Sequence, residues 1–150
     1  MLKCDEKIST FLKEHNVLTL CTKSDKGAWL AHCFYVFDEK NMRLIFTSDP
    51  EGTRHGQEMT ANESVAIGIV LETTMVGKVQ GVQIEARAFR PEGEEYKVAK
   101  KTYTKHYPIS NVAKLHIWTA EINSLKMTDN RLGFGKKLHW NRNSSGSIRH

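Results

Sequence analysis

The sequence predicts a mainly β domain, an antiparallel barrel or sandwich with peripheral helices, and three observations carry that reading. Six runs of strand length alternate or are continuously apolar, the connections between most of them are short, and no strand–helix–strand alternation of the parallel kind is present. A chain of 150 residues with 39% hydrophobic and 26% charged residues is the right size for one such domain.

Ile8, Phe11, Leu12 and His15 repeat at helical spacing and put one apolar stripe on a helix from Asp5 to Asn16. Val17 to Thr22 and Ala28 to Phe37 read as strands, and Ser24-Asp25-Lys26-Gly27 between them supplies hairpin chemistry. A turn at Asp38-Glu39-Lys40-Asn41 leads into a third strand, Arg43 to Thr47. Pro50 lacks an amide donor and Gly52 loosens the chain, so that strand ends, and Thr53 caps a short helix. Val65 to Leu71 is a buried strand. Along Val79 to Arg90, Val82, Ile84, Ala86 and Ala88 face one way, and Gln83, Glu85, Arg87 and Phe89 the other. A third helix opens at Pro91 with acids first and Lys and His last, the polarity the helix dipole favours; Tyr96, Ala99, Tyr103 and Tyr107 form its inner face and Pro108 stops it. Leu115 to Met127 is the sixth strand. Residues 132–140 read either way, because Gly133 and Gly135 break a ladder that Leu138 and Trp140 extend. The domain is expected to span residues 1–140, with 141–150 a basic, polar tail lacking fixed structure.

The net charge of +5 sits at one end: the first 130 residues balance 17 Lys+Arg against 17 Asp+Glu, and Arg131, Lys136, Lys137, Arg142 and Arg149 follow with no acid. A neutral body argues against a nucleic-acid binder, which carries a basic face within its fold. No stretch is long and apolar enough to span a bilayer, and the N-terminus lacks the pattern of a signal peptide, so a cytoplasmic protein is expected. Three cysteines, Cys4, Cys21 and Cys33, give neither a disulfide framework nor a zinc knuckle, and the seven histidines lack helical zinc spacing, so no metal is expected.

The segment from Leu44 to His55 carries the most chemistry. A strand ending in Thr47 and Ser48, a Pro/Gly loop and a helix starting Thr53-Arg54-His55 gather backbone N–H groups, hydroxyls, a guanidinium and an imidazole, which are phosphate ligands. The blander reading has Thr53 as a plain cap and Arg54 solvated.

The run Phe37 to Met42, through Ile45-Phe46-Thr47 to Thr53-Arg54-His55 and Asn62 to Ala66, resembles the flavin-binding core of the pyridoxamine phosphate oxidase-like split barrels. The blocks C-F-Y-V-F-D-E-K (33 to 40), T-R-H (53 to 55), G-V-Q (81 to 83) and T-D-N-R-L-G-F-G-K-K (128 to 137) resemble the YhbP-like family of small bacterial proteins within that group. The resemblance implies a homodimer of six-stranded antiparallel split β-barrels, Greek key in topology with peripheral helices, binding FMN at an interface to which both subunits contribute. It assigns Phe46, Thr47, Thr53, Arg54 and His55 to the flavin phosphate, and lays His32, Cys33, Phe34 and Tyr35 along the isoalloxazine. The family's Lys is His55 here, and the cations that bracket the oxidase's second strand are Leu30 and Tyr35, so true pyridoxamine phosphate oxidase activity is not expected. FMN retention would rest on Arg54 and the helix N-terminus.

Other residues weigh less. Trp118 has the shape to stack on a flavin, although core packing is the commoner role for a strand tryptophan. His32 faces the opposite side from Cys33, which reads as packing. Gln83 lies where such barrels reach towards the partner's flavin, or else in solvent. Arg131, Lys136 and Lys137 border an anion or are solvated. No side chain is singled out as a catalytic acid or base. The expected function is therefore an FMN-dependent oxidoreductase taking hydride from a nicotinamide or small organic donor, with two alternatives: a flavin carrier or sensor, and a haem-binding split barrel using His32, His55 or His116.

Overall fold

The computed structural model describes residues 2–108, 114–133 and 136–144, together with the backbone of 148–149. Its elements follow the expected order: α1 (Glu6–Glu14), β1 (Val17–Ser24), β2 (Gly27–Asp38), β3 (Arg43–Thr47), α2 (Arg54–Ala61), β4 (Ser64–Val70), β5 (Gln80–Phe89), α3 (Gly93–His106), β6 (Ile117–Asp129), β7 (Lys137–Asn141) and β8 (Ile148–Arg149). Asp5 caps α1 by accepting the Lys7 N–H at 2.8 Å, and Thr53 caps α2 by accepting the Gly56 N–H at 3.0 Å. The β1–β2 turn is closed by Gly27 in the left-handed region, at φ 97°.

Every pairing is antiparallel, in the order β3-β2-β1-β4-β5-β6-β7-β8, and an additional β3–β6 pairing closes β1 to β6 into the six-stranded barrel that was expected. Leu18, Leu20, Phe46, Ile67, Ile84 and Trp118 fill the interior, and Ile8, Phe11 and Leu12 of α1 and Met59 of α2 join the same cluster. Helix α3 lies on the outside, where Ala99 and Tyr103 bury against Ile45 and Ile117.

β6 is the hinge of the architecture. Its first half, Ile117 to Glu121, pairs with β3, and its second half, Ser124 to Thr128, pairs with β7 on the same edge. Between the halves, the β5 partner steps from Ser124 at Glu85 to Ile122 at Ala86, leaving Asn123 as a bulge that reverses which residues face inward. A strict alternation over Leu115 to Met127 cannot show that reversal.

The boundary expected after residue 140 falls inside β7. Trp140 is fully buried and donates its indole N–H to the Lys3 carbonyl at 2.9 Å, tying β7 to the start of the chain. Arg142, expected to lie in a solvated tail, docks instead. Its Nε donates to the Ile122 carbonyl at 2.8 Å, and one terminal nitrogen donates to the carbonyls of Asn41 (3.0 Å) and Met42 (2.9 Å). Residues 145–147 and 150 of that expected tail, and Phe134 and Gly135 of the family-like block, lie outside the described residues.

Candidate functional site

Register assembles a polar row on the outer face. Reading across the sheet, His32 is opposite Thr19, Thr19 opposite Gly68, Gly68 opposite Gln83, Gln83 opposite Lys126 and Lys126 opposite His139. One rung of six strands thus carries two imidazoles, a hydroxyl, an amide and an ammonium, with a bare glycine backbone in the middle. At about 4.8 Å per strand the row from Thr19 to His139 spans roughly 19 Å. The neighbouring rung runs Leu30, Cys21, Ala66, Glu85, Ser124, Asn141, and there Ser124 donates to Glu85 at 3.2 Å.

These two rungs, His32 excepted, line a groove of about 610 Å³, within the range of small-molecule sites. Gly68 and Ala66 make its floor flat. His32 Nδ1 is paired with Thr19 Oγ1 at 3.1 Å, whereas among the described residues Gln83, Lys126 and His139 have no side-chain hydrogen-bond or ion-pair partner. Apolar side chains surround the groove without cover: Phe34 is 58% exposed and Val70 69%, and Val17 and Leu30 are likewise open.

The second cluster is the entrance to α2. Asp49 accepts the N–H groups of Glu51 and Gly52, both at 3.0 Å, and these two donors hold its carboxyl below the usual range. The expected nest of free loop amides is therefore partly filled by the chain's own acid. What remains unpaired in the first turn, among the described residues, is the N–H of Arg54 and of His55. The loop is tight: a Cβ on Gly56 would stand 2.1 Å from the Asp49 carbonyl oxygen, so only glycine fits there. Burial pushes His55 below the ordinary imidazole range, so it replaces the family's Lys without its charge at neutral pH.

Arg54 is neither free nor neutralised at its working end. Its Nε donates to Glu58 Oε2 at 3.2 Å and its Cζ lies 4.5 Å from the centre of the Trp29 ring, while neither terminal nitrogen has an acceptor among the described residues. Glu58 is held in turn by Thr22, whose hydroxyl donates at 2.7 Å, and by Ser24. Those two hydroxyls, ahead of Arg54, keep the Glu58 carboxyl below the usual range. Trp29, Thr22 and Glu58 belong to no contiguous motif, and sequence reading missed all three; the one available signal was a large aromatic beside a hairpin turn, opposite a hydroxyl residue.

The remaining candidates are core. Trp118 is buried, with its indole N–H donated to the Ser48 carbonyl at 2.9 Å, so it cannot stack on a ligand. Phe46 is fully buried, Tyr35 is buried with its hydroxyl on the Leu12 carbonyl at 2.7 Å, and the Cys33 thiol, pushed up to about 11 by burial, faces the interior. Sheet alternation leaves His32 and Phe34 as the outward members of that strand segment, and Thr47 is half-buried at the end of β3. Within one chain, then, the rung residues His32 and Gln83 lie on the outer face. The Arg54 cluster caps the barrel end from the inner side, where Thr22 and Trp29 pair.

A flavin asks for a flat floor, edge partners and a phosphate site, and these residues fit it. The floor is Ala66 and Gly68, the edge groups are Gln83, Lys126 and His139, and the phosphate donors are the Arg54 terminal nitrogens and two free amides. The acids Asp49 and Glu58 outnumber the one cation there, Arg54, so with His55 neutral that last part carries a formal charge of −1.

Comparison with known proteins bears out the architecture. A haem-binding protein from Mycobacterium smegmatis matches at a TM-score of 0.75 and 15% identity over 97% of this chain, which spans 61% of that longer one. A FAD-binding protein from Mesorhizobium loti matches at 0.67 and 14% over 81% of this chain and 89% of its own. The haem storage protein HutZ from Vibrio cholerae matches at 0.65 and 13% over 85% and 95%. At such identities the likeness fixes the fold alone: a six-stranded antiparallel split barrel with peripheral helices. No family model matches the chain. None of the described helices is long and apolar enough to cross a membrane. In sequence, a UPF0306 protein from Photorhabdus laumondii is 40% identical over 135 residues, 90% of this chain and 94% of its own length, and one from Serratia proteamaculans is 40% identical over 137 residues. That extent and identity place the chain in the UPF0306 family.

Proposed function

We propose that this protein is a homodimeric, cytoplasmic FMN-binding oxidoreductase. The outer-face rung would hold the flavin ring and Arg54 of a second copy would hold its phosphate, so that two copies complete each site. The observation that supports this reading is the rung: a flat floor of Gly68 and Ala66 bordered by amide, ammonium and imidazole groups that have no partner within the described chain. Polar groups left unpaired along a strand row are poised for an external ligand, and a planar heteroaromatic ring with donors and acceptors on its edges is complementary to them. The uncovered Phe34, Leu30, Val17 and Val70 beside the groove are what a second subunit would bury. Three free cysteines suit a reducing compartment.

When bound, the flavin supplies hydride and electron transfer through its N5. The chain's own part is to bind, orient and keep water out. Lys126 would place a positive charge beside the ring and Gln83 would serve as donor and acceptor at its edge, with no rung side chain required as an acid or base. A nicotinamide or small organic donor would approach from the open side of the groove. Absorbance bands near ~370 and ~450 nm on purified protein are the expected sign of flavin. Arg54→Ala should release FMN while leaving riboflavin affinity intact.

One observation favours a second reading. His139 presents an unpaired imidazole to the groove and His32 lies at the other end of the same rung, so either would be a residue to hold a haem iron. A Soret band without flavin bands on the purified protein would select that reading.

A further inference from the structure

We infer that Glu58, Trp29 and Thr22 are positioning residues that hold Arg54 with its terminal fork open, and that this clamp makes the site select a phosphorylated flavin over an unphosphorylated one. The inference rests on the flavin reading above. Arg54 is the first residue of α2, and three elements fix it. One turn along the same helix, Glu58 accepts from Nε at 3.2 Å. From β1, Thr22 donates to one Glu58 oxygen at 2.7 Å and Ser24 to the other, so a carboxylate only 7% exposed cannot follow the guanidinium if it swings away. From β2, the Trp29 ring covers one face at 4.5 Å.

The clamp grips the Nε edge and a face, which are the parts a phosphate does not need. The two-pronged grip on phosphate uses the terminal nitrogens, and these have no acceptor among the described residues although the side chain is 32% exposed. A glutamate serving only to neutralise Arg54 would be expected at that terminal edge. Because the guanidinium is ordered before the ligand arrives, little rotamer freedom remains to be lost on binding. The exposed Trp29 ring, otherwise an unexplained large apolar surface at the end of a hairpin, acquires a role as the backing of that cation.

The test compares FMN with riboflavin, which differ by the phosphate alone, by quenching of flavin fluorescence on the full-length protein. Trp29→Leu is expected to weaken FMN about three- to tenfold, the size of a lost cation–π contact, with riboflavin unchanged. Trp29→Phe should restore most of the difference. Glu58→Leu should weaken FMN about tenfold, again sparing riboflavin. FMN affinity unchanged in Trp29→Leu would overturn the inference, as would tighter FMN binding in Glu58→Leu, which would make Glu58 a competitor. An equal fall for both ligands in either variant also overturns it, because that marks damage to the ring site or the fold. Failure of the underlying reading looks different: wild-type protein then binds neither flavin, and the positioning role falls with it.

Discussion

Replacing Arg142 with Ala should destabilise the whole barrel, although the residue lies just beyond the end of β7. At the point where β6 passes from β3 to β7, the carbonyls of Ile122, Asn41 and Met42 converge, and the Arg142 guanidinium donates to all three at 2.8 to 3.0 Å. Met42 is fully buried and sits in the left-handed region at φ 50°, a conformation that a methionine holds only where its surroundings impose it. Hydrogen bonds to a charged donor contribute about 1.5–3 kcal/mol each. Water can replace the bond at the exposed Asn41, and ordering the side chain offsets about 2 kcal/mol, so the net loss expected from the other two bonds is about 1–4 kcal/mol. For a domain of this size that corresponds to a fall in Tm of about 3–15 °C, readable by circular dichroism or calorimetry. Arg142→Lys should recover less than half, because a compact ammonium cannot span three diverging carbonyls. Removing residues 142–150, which also takes β8 from the edge of β7, should cost at least as much as Arg142→Ala. A Tm within about 2 °C of wild type for Arg142→Ala, or full recovery by Lys, would refute the junction argument.

Three further outcomes follow from the same geometry. Trp118→Phe keeps the ring but loses the bond to the Ser48 carbonyl, so stability should drop by about 1 kcal/mol with ligand affinity unchanged; a selective loss of ligand would contradict the core assignment. Burial pushes Cys33 up to about 11, and burial with Glu39 nearby does the same for Cys4, so a thiol reagent near neutral pH should label Cys21 in the groove first, and a bound ligand should protect it. Since the folded state holds those two protons more tightly than an unfolded chain ionising near 9, their contribution is intact below that pH and is lost as pH rises towards 11; a denaturation midpoint that stays flat over this interval would count against the burial. Phe34→Asp places a charge on the uncovered face and should convert a dimer to monomer in light scattering and lower flavin affinity together, whereas retention of both would place the interface elsewhere.

Strands and helix caps were legible because their signals are local. Arg43 to Thr47 and the Thr53 cap came out as expected, since alternation, Pro50 and Gly52 mark them within a few residues. β7 was ambiguous because Gly133 and Gly135 precede it in sequence and its anchoring, Trp140 on Lys3 and Arg142 on Asn41 and Ile122, spans more than a hundred positions in part. In β2 both faces are apolar: Cys33 and Tyr35 go inward while Leu30 and Phe34 face out, so hydrophobicity could not separate core from surface. That two-sidedness is itself a sign that the outer face is meant to be covered.

The rung was illegible for a more general reason. His32, Thr19, Gly68, Gln83, Lys126 and His139 come from six strands, and only the register of five separate pairings aligns them. Motif reading weighs contiguous residues, so it found the Thr53-Arg54-His55 corner and gave it the phosphate, while His32 and Gln83 entered singly, through the resemblance, with nothing to align them. The structure divides that load: the corner offers one clamped guanidinium and two amides on the inner side of the barrel end, while the flat floor and its unpaired partners are outside. A single ligand uses both only if it passes from one copy's corner to another copy's face. The coupled loss of dimer and flavin in Phe34→Asp is therefore the result that links the two clusters, and flavin binding by a stable monomer would separate them.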